Sequence, residues 1–245
     1  MKGVILAAGR GSRLAVLTES QPKCFTRLWG RPLIEWQLNA LRAAGIKDIA
    51  VVTGYQSHSF HYDLTYFFND QWSQSNMVTS LLRASSWLEH ETCIVSYSDI
   101  VYSTDVVRSL QATTGDIVIS YDPNWQELWQ LRFENPLDDA ESFRVNNGQL
   151  LEIGAQADSL EQVEGQYMGL LKITPEGWCQ MSGCLASLPS HEQKQLDMTG
   201  LLQKMLTQGA IINTVPIEDR WFEVDSVSDL TCYESLEPVE FSDLN

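Results

Sequence analysis

The chain has 245 residues, and 44% of them are hydrophobic, a composition that supports a large core and excludes wholesale disorder. Its 16 basic and 32 acidic residues give a formal net charge of −16, which argues against a protein that wraps nucleic acid or binds an anionic membrane. A local cluster of cations can still bind a nucleotide in a chain this acidic.

The N-terminal apolar run is too short for a signal peptide, and the sequence contains no stretch of about 18 apolar residues. We therefore expect a cytoplasmic protein. Its 5 cysteines have neither the spacing of a zinc site nor that of a disulfide framework, so we expect reduced structural cysteines.

The start of the chain predicts a βαβ unit. Residues 2–6 form a short apolar run that is typical of a buried strand. Apolar residues then recur at helical spacing over 32–44, where Pro32 suits the first helical position and Gly45 suits the end. A second apolar run at 48–53 predicts the next strand and completes the unit.

The alternation continues and predicts an α/β fold with a mostly parallel central sheet flanked by helices. We expect Ser103 or Thr104 to cap one of the helices. The further predicted helices span 76–88, 104–111, 175–185 and 198–208, and the further predicted strands span 92–96, 116–121, 166–174, 211–215 and 221–224.

The segment 122–165 has a different character. An Asn-Asn-Gly turn at 146–148 between two strand-like runs predicts a β-hairpin. Around it, aromatic residues lie among acids and amides without a clean helical period. We interpret the segment as a lid-like insertion in a single domain over 1–233, which is followed by an acidic C-terminal tail over 234–245.

A glycine-rich loop follows the first strand directly. Small residues over 7–13 let the backbone approach a ligand, and their free N–H groups can hold phosphate oxygens. Arg10, Arg13 and Lys23 add positive charge. The loop is neither a Walker A sequence nor G-x-G-x-x-G, because Leu14 stands where the third glycine would be. On spacing alone, an ordinary turn with solvated arginines explains the loop as well as a phosphate site does.

A family resemblance favours the phosphate site. The sequence LAAGRGSRL at 6–14, followed by Pro22 and Lys23, resembles the signature of the nucleotidyltransferases, a superfamily that includes MobA-like and sugar nucleotidyltransferases. Asp99 and the Glu-Val-Asp sequence at 223–225 agree with it in order along the chain. These enzymes couple a nucleoside triphosphate to a phosphorylated acceptor and release pyrophosphate. The resemblance thus implies a Rossmann-like nucleotidyltransferase fold and an enzyme.

Two segments resemble narrower branches of that superfamily. Residues 76–81 (NMVTSL) resemble bacterial phosphocholine cytidylyltransferases. The stretches at 121–143 and 164–178 are similar to a branch that cytidylylates phosphoglutamine for capsular phosphoramidate. The resemblance implies transfer of CMP from CTP to a small phosphorylated acceptor that carries an amine, such as phosphocholine, phosphoglutamine or an aminoalkylphosphonate. It also implies a use in decorating surface polysaccharide, in a capsule or a lipopolysaccharide.

The resemblance implies that Asp99 and Asp225 hold Mg²⁺ as the cofactor, and Mg²⁺ is commonly held by one or two carboxylates plus phosphate oxygens. It further implies that Lys23 contacts the α-phosphate of CTP and that Arg13 contacts the β- and γ-phosphates, which would make both residues catalytic by neutralising charge. An alternative for Asp225 is that it caps a helix, because a helix start follows it.

The loop and the start of the second predicted helix supply the predicted nucleotide contacts. For Asn76 and Ser80, which could read a base edge, the alternatives are a helix N-cap and a solvent-facing hydroxyl. The predicted nucleotide-binding residues are Leu6, Ala7, Ala8, Gly9, Gly11, Ser12, Asn76 and Ser80.

Aromatic and acidic residues in and near the insertion would suit a cationic amine through cation–π attraction and charge. Packing in the core or under the lid is the alternative for most of them. The predicted acceptor-binding residues are Tyr121, Trp129, Glu164, Tyr167 and Trp221.

Two other functions remain open from the sequence. One is a sugar-1-phosphate nucleotidylyltransferase that uses UTP or dTTP. The other is a non-catalytic regulatory module that binds a nucleotide. CTP and the small acceptor are the only partners we predict, and the sequence indicates no oligomeric state.

Overall fold

A nine-stranded sheet forms the centre of the computed structural model, which describes residues 1–238. Most of the predicted acidic tail, residues 239–245, lies outside the described residues. The strands are β1 (Lys2–Ala7), β2 (Arg27–Leu28), β3 (Arg31–Pro32), β4 (Ile49–Thr53), β5 (Thr65–Phe68), β6 (Cys93–Tyr97), β7 (Ile100–Val101), β8 (Ile117–Asp122), β9 (Glu141–Asn146), β10 (Gln149–Gln156), β11 (Gln166–Ile173), β12 (Asn213–Pro216) and β13 (Phe222–Glu223).

The order in the large sheet is β5-β4-β1-β6-β11-β8-β12-β10-β9. The first four strands of that order are parallel to one another, and so are β8 and β12. Strand β11 is antiparallel to both of its neighbours, and β10 is antiparallel to β12 and β9. The predicted α/β fold with a largely parallel centre is confirmed.

Helices cover both faces of this sheet, as the apolar runs of its central strands require. In β1, Ile5 and Ala7 pack into one core cluster, whereas Val4 and Leu6 pack into the other. The helices are α1 (Leu33–Ala43), α2 (Met77–Leu82), α3 (Ser85–Leu88), α4 (Thr104–Ala112), α5 (Trp125–Arg132), α6 (Pro175–Ala186), α7 (Ser190–Gln195), α8 (Met198–Thr207) and α9 (Val227–Glu234).

Two helix predictions are refined by the structure. The helix expected over 76–88 is split, because the chain leaves helical geometry between α2 and α3. Ser103 is the cap of α4, where its hydroxyl accepts a hydrogen bond from the Val106 N–H.

Within the part of the chain that is described, no helix is long and apolar enough to span a membrane.

The predicted hairpin is confirmed, and it widens the sheet. Asn147 and Gly148 have φ values of 51° and 74°, the left-handed pair that a tight hairpin turn requires. Strands β9 and β10 flank this turn and join the sheet through β12. Helix α5 was not predicted, although Trp125, Leu128 and Trp129 form a short buried stripe at helical spacing.

Candidate active site

A cavity of about 310 Å³ opens at the carboxyl ends of β1 and β6. Ligands of open α/β sheets bind at such strand ends. Residues from the glycine-rich loop, the start of α2 and the two predicted metal ligands meet there. The cavity wall consists of Leu6, Ala8, Gly9, Gly11, Ser12, Arg13, Lys23, Trp72, Ser75, Asn76, Met77, Ser80, Tyr97, Ser98, Asp99 and Asp225.

Lys23 is the most enclosed cation of the cavity, with a residue exposure of 7%. Its Nζ donates hydrogen bonds to Asp99 Oδ2 at 2.7 Å and to Asp225 Oδ1 at 2.6 Å. Burial alone would lower the pKa of this ammonium, but the two carboxylates outweigh burial and raise the pKa above 10.5. Arg13 forms an ion pair with the other oxygen of Asp225. Two cations and two carboxylates are thus collected at one end of the cavity.

A small ladder brings the two aspartates together although they are far apart in sequence. Asp99 lies between β6 and β7, and Asp225 follows β13. Strand β13 pairs with β7, and the Val224 N–H donates to the Asp99 carbonyl oxygen at 2.8 Å. Ser226, not Asp225, caps helix α9, so the alternative of a capping role for Asp225 is wrong.

The two carboxylates fit a Mg²⁺ ion that completes its shell with phosphate oxygens and water. Asp99 Oδ1 is buried and accepts no hydrogen bond, so it is available to a cation. The Asp99 and Asp225 carboxylates both contact one positive group, the Lys23 ammonium, so they are close enough to share a cation. Among residues 1–238, no three His, Cys, Asp or Glu side chains are grouped to hold a metal by themselves.

Gly11 is required for the path of Lys23. Its φ of +67° lies in the left-handed region, and a Cβ built there would lie 2.7 Å from Lys23 Cδ. We expect Gly11→Ala to reduce turnover strongly and to lower the free energy of unfolding by about 1–2 kcal/mol, because left-handed backbone strains a side chain. Gly30→Ala is the matched control, since Gly30 has a φ of +76° and open space around it. Turnover is measured by pyrophosphate release, and the free energy of unfolding by chemical denaturation. Equal turnover in the two variants would contradict the prediction.

Most predicted nucleotide-binding residues line this cavity, but Ala7 does not. Asn76 caps α2, with Oδ1 accepting from the Met77 N–H at 2.8 Å, so the capping alternative is realised. Ser80 is 6% exposed and its Oγ accepts from Asn69 Nδ2 at 3.0 Å, so the solvent-facing alternative is wrong. Ala7 is buried within β1.

Sequence reasoning missed several cavity residues. Tyr97 and Ser98 immediately precede Asp99, and the end of a predicted parallel strand is a signal that could have found them. Trp72 lies in an irregular segment and carries no such signal.

Comparison with known proteins decides the family. The family model for the MobA-like NTP transferase domain matches residues 3–158, more than half of the chain. The chain belongs to this family. It is therefore a nucleotidyltransferase, and the arrangement of Lys23, Asp99 and Asp225 lies in the cavity of that enzyme fold.

Individual relatives agree with the family. Over 247 residues the nucleotidyltransferase is 35% identical to a CTP:phosphoglutamine cytidylyltransferase of Campylobacter jejuni subsp. jejuni serotype O:2, covering 94% of this chain and 98% of the relative. It is 40% identical over 86 residues to a choline-phosphate cytidylyltransferase of Streptococcus pneumoniae, covering 33% and 38%. The structure of an inositol-1-phosphate CTP transferase from T. maritima shares the fold, with a TM-score of 0.76, 19% identity and 96% coverage of both chains.

The acceptor residues predicted for this nucleotidyltransferase are not gathered in one pocket. Trp129 and Trp221 are 4% and 3% exposed, and their ring centroids lie 6.2 Å apart. Neither lines the cavity, and both pack in the buried core, which is the alternative that the sequence left open for most of this set. Trp221 also donates from Nε1 to Asp122 Oδ2 at 2.9 Å and borders a separate cavity of about 270 Å³.

The other three predicted acceptor residues lie on strands β8 and β11 or next to them. Tyr167 meets Tyr97 of the cavity wall edge to face, with centroids 5.8 Å apart. Tyr121 packs on Phe143 at 5.0 Å. Glu164 accepts the Val145 N–H at 2.8 Å, so it is engaged with the hairpin. Among the described contacts of this set, only those of Tyr167 therefore reach the wall of the cavity that contains Lys23.

Glu141 is a titratable group that the sequence did not single out. Burial and then the nearby Asp197 carboxylate raise the pKa of Glu141 from 4.5 to about 7, although its Oε1 accepts a hydrogen bond from Thr199. Between pH 4.5 and about 7, Glu141 is therefore largely protonated in the folded protein and ionised in the unfolded chain. The free energy of unfolding falls as the pH rises through that window.

Near pH 4.5 we expect Glu141→Gln to unfold at the same denaturant concentration as the wild type. At pH 8 we expect the variant to be more stable by about 1–2 kcal/mol, less than the pKa shift alone would give, because solvent partly screens Glu141. Glutamine keeps an acceptor for Thr199 and removes the buried charge. Denaturant titrations at both pH values test this, and an equal difference at both would show that Glu141 does not titrate in the window.

Proposed function

We propose that this nucleotidyltransferase transfers CMP from CTP to the phosphate or phosphonate of a small acceptor that carries an amine, with release of pyrophosphate. The observation that carries the proposal is the Lys23 ammonium held between Asp99 and Asp225 at one end of the cavity. The use of CTP is supported by the cytidylyltransferase relatives, one of which matches nearly the full length of both chains. We also propose a cytoplasmic enzyme whose product serves the decoration of surface polysaccharide.

The reaction needs positioning and positive charge more than proton transfer. An acceptor phosphate oxygen attacks the α-phosphorus of CTP and forms a new P–O bond, while the bond to the bridging oxygen breaks and pyrophosphate leaves with the electron pair. The acceptor oxygen is already ionised at neutral pH, so no protein base is required. Lys23 stays protonated because its pKa is raised, and it supplies fixed positive charge beside the cavity.

Arg13 is exposed, with a side-chain exposure of 70%, and can turn towards the β- and γ-phosphates. A bound Mg²⁺, held by Asp99 and Asp225, would withdraw charge from the α-phosphate. Asn76, the cap of α2, and Ser80, within that helix, also line the cavity wall.

The surroundings of Tyr97 favour an amine on the acceptor. Burial, and then the nearby Tyr167, Asp99, Asp197 and Glu141, raise the pKa of Tyr97, and Tyr97 and Asp99 both line the cavity. The Oη of Tyr167 is buried there, beside the ring of Tyr97. Aromatic faces with carboxylates nearby attract an ammonium group.

The test is a matrix of pyrophosphate-release assays with Mg²⁺. CTP, UTP, dTTP, ATP and GTP are crossed with phosphocholine, 2-aminoethylphosphonate, phosphoglutamine and glucose-1-phosphate. Turnover with CTP and an amine-bearing acceptor is expected. Turnover confined to UTP or dTTP with glucose-1-phosphate would overturn both the nucleotide and the acceptor, and silence with intact CTP binding would favour a regulatory module.

A further inference from the structure

Arg132 is a buried cation that neither the loop nor the metal site accounts for. It ends helix α5 of the insertion, and its side chain is only 2% exposed. Its guanidinium lies 5.2 Å from the ring centroid of Trp129 and 5.0 Å from that of Phe133. A charge buried this deeply is destabilising unless it is paired.

Both partners of Arg132 belong to the segment that carries Asp225. Nη1 donates to Glu223 Oε2 at 2.6 Å, and Nε donates to Asp229 Oδ1 at 3.2 Å. Glu223 precedes Asp225 by two residues, and Asp229 follows it by four. Arg132 therefore holds this segment on both sides of the aspartate.

Asp229 passes the contact on to the backbone of Asp225. It is 3% exposed, and its Oδ2 accepts hydrogen bonds from the Asp225 N–H at 2.9 Å and the Ser226 N–H at 2.8 Å. The bond to Ser226 belongs to the capping box of α9. The bonds to Asp225 and to Arg132 lie outside that motif, so the cap alone does not explain this arrangement.

We propose that Arg132 is a positioning residue for the nucleotidyl transfer: through Asp229 and Glu223 it fixes Asp225 in the orientation that binds the divalent cation. The inference rests on the proposed function, because it takes Asp225 as a metal ligand. Partners that orient a ligand commonly change metal affinity by about 10–100-fold when they are removed. The insertion thereby contributes to the site through its helix α5.

The sign of the effect separates positioning from charge. Removal of a nearby positive charge would by itself strengthen the binding of a divalent cation. Loss of orientation at Asp225 would weaken it. Arg132→Lys keeps the charge but cannot span both carboxylates with a planar fork, so a change in this variant reports geometry.

The experiment measures Mn²⁺ binding by electron paramagnetic resonance with a CTP analogue whose α,β-bridging oxygen is a methylene group. We expect Arg132→Met to weaken Mn²⁺ binding by about tenfold or more and Arg132→Lys to weaken it by less. Arg108→Met is the control, because Arg108 is an exposed residue of α4 that pairs with Asp105. Melting temperatures and analogue affinity without metal are measured alongside.

Unchanged or tighter Mn²⁺ binding in the folded Arg132 variants would overturn the inference. A fall in their melting temperatures would not rescue it, because that fall alone reports only a structural role. If Arg132→Met does not fold, Arg132→Lys decides. A wild-type protein that binds no Mn²⁺ with the analogue would overturn the proposed metal site itself, and this inference with it. A wild type that binds Mn²⁺, together with weakened variants, supports both.

Discussion

Replacement of Lys23 by methionine is expected to lower turnover by about 10²–10³-fold, the usual effect of removing one fixed donor that stabilises developing negative charge. Lys23 is the most buried cation of the cavity wall, and its stem passes directly against Gly11. Pyrophosphate release at saturating CTP measures the effect. Lys47→Met is the control, because Lys47 is an exposed residue of the loop before β4.

The same variant is expected to be less stable without ligands. Lys23 shields Asp99 from Asp225, and their side chains are 17% and 11% exposed. Removal of one partner of a largely buried ion pair costs about 3 kcal/mol. Because the variant leaves the carboxylates without their shared ammonium, Mg²⁺ should raise its melting temperature more than that of the wild type.

Two outcomes would contradict this account of Lys23. Turnover equal to that of the wild type would show that its ammonium does not act on the phosphates. An unchanged melting temperature, with no added response to Mg²⁺, would show that the ion bridge between Asp99 and Asp225 contributes nothing in solution.

The elements with strong periodicity could be predicted from the sequence. Strand β1, helix α1 and strand β4 are found within about two residues of the expected bounds, because their apolar residues must reach a shared core. Strand β5 was missed. It lies at the edge of the sheet and leaves three of its four residues exposed, and its sequence Thr-Tyr-Phe-Phe is too short to show the alternation of a half-buried strand.

Within the site, the sequence identified the residues that agree with the family signature and missed contacts that no motif marks. The loop and Lys23 follow one signature along the chain. Arg132 meets Asp229 across 97 positions, and no local pattern records such a contact. One missed feature did carry a signal, since Ser226 and Asp229 have the spacing of a capping box and this excludes Asp225 as the cap.

The aromatic residues show why residue type alone misleads. Trp129 was placed in the acceptor site because it lies among acids in the insertion. Its spacing from Trp125 and Leu128 instead marks the apolar face of a short helix, and α5 buries that face in the core. The pattern over these eight residues was too short to stand out from the surrounding acids and amides.

Asp99→Asn is expected to have opposite effects on catalysis and on metal-free nucleotide binding. Turnover should fall by about 10²–10³-fold and require more Mg²⁺ for half-maximal rate, because a bound metal ion supplies several kcal/mol of charge stabilisation. CTP affinity in EDTA should rise or stay equal, since the change removes a negative charge from the cavity that receives the triphosphate. Asparagine keeps the shape of the side chain, so packing is preserved.

Asp225→Asn should behave in the same way for turnover and also release Arg13, which pairs with Asp225 in the structure. Asp105→Asn is the control for both variants, because Asp105 is an exposed residue of α4. Full Mg²⁺-dependent turnover in either variant would show that the metal does not bind these carboxylates. Weaker metal-free CTP binding in Asp99→Asn would contradict the expected sign, and it would mean that Asp99 supports the nucleotide by accepting a hydrogen bond from it or by holding the Lys23 ammonium in place.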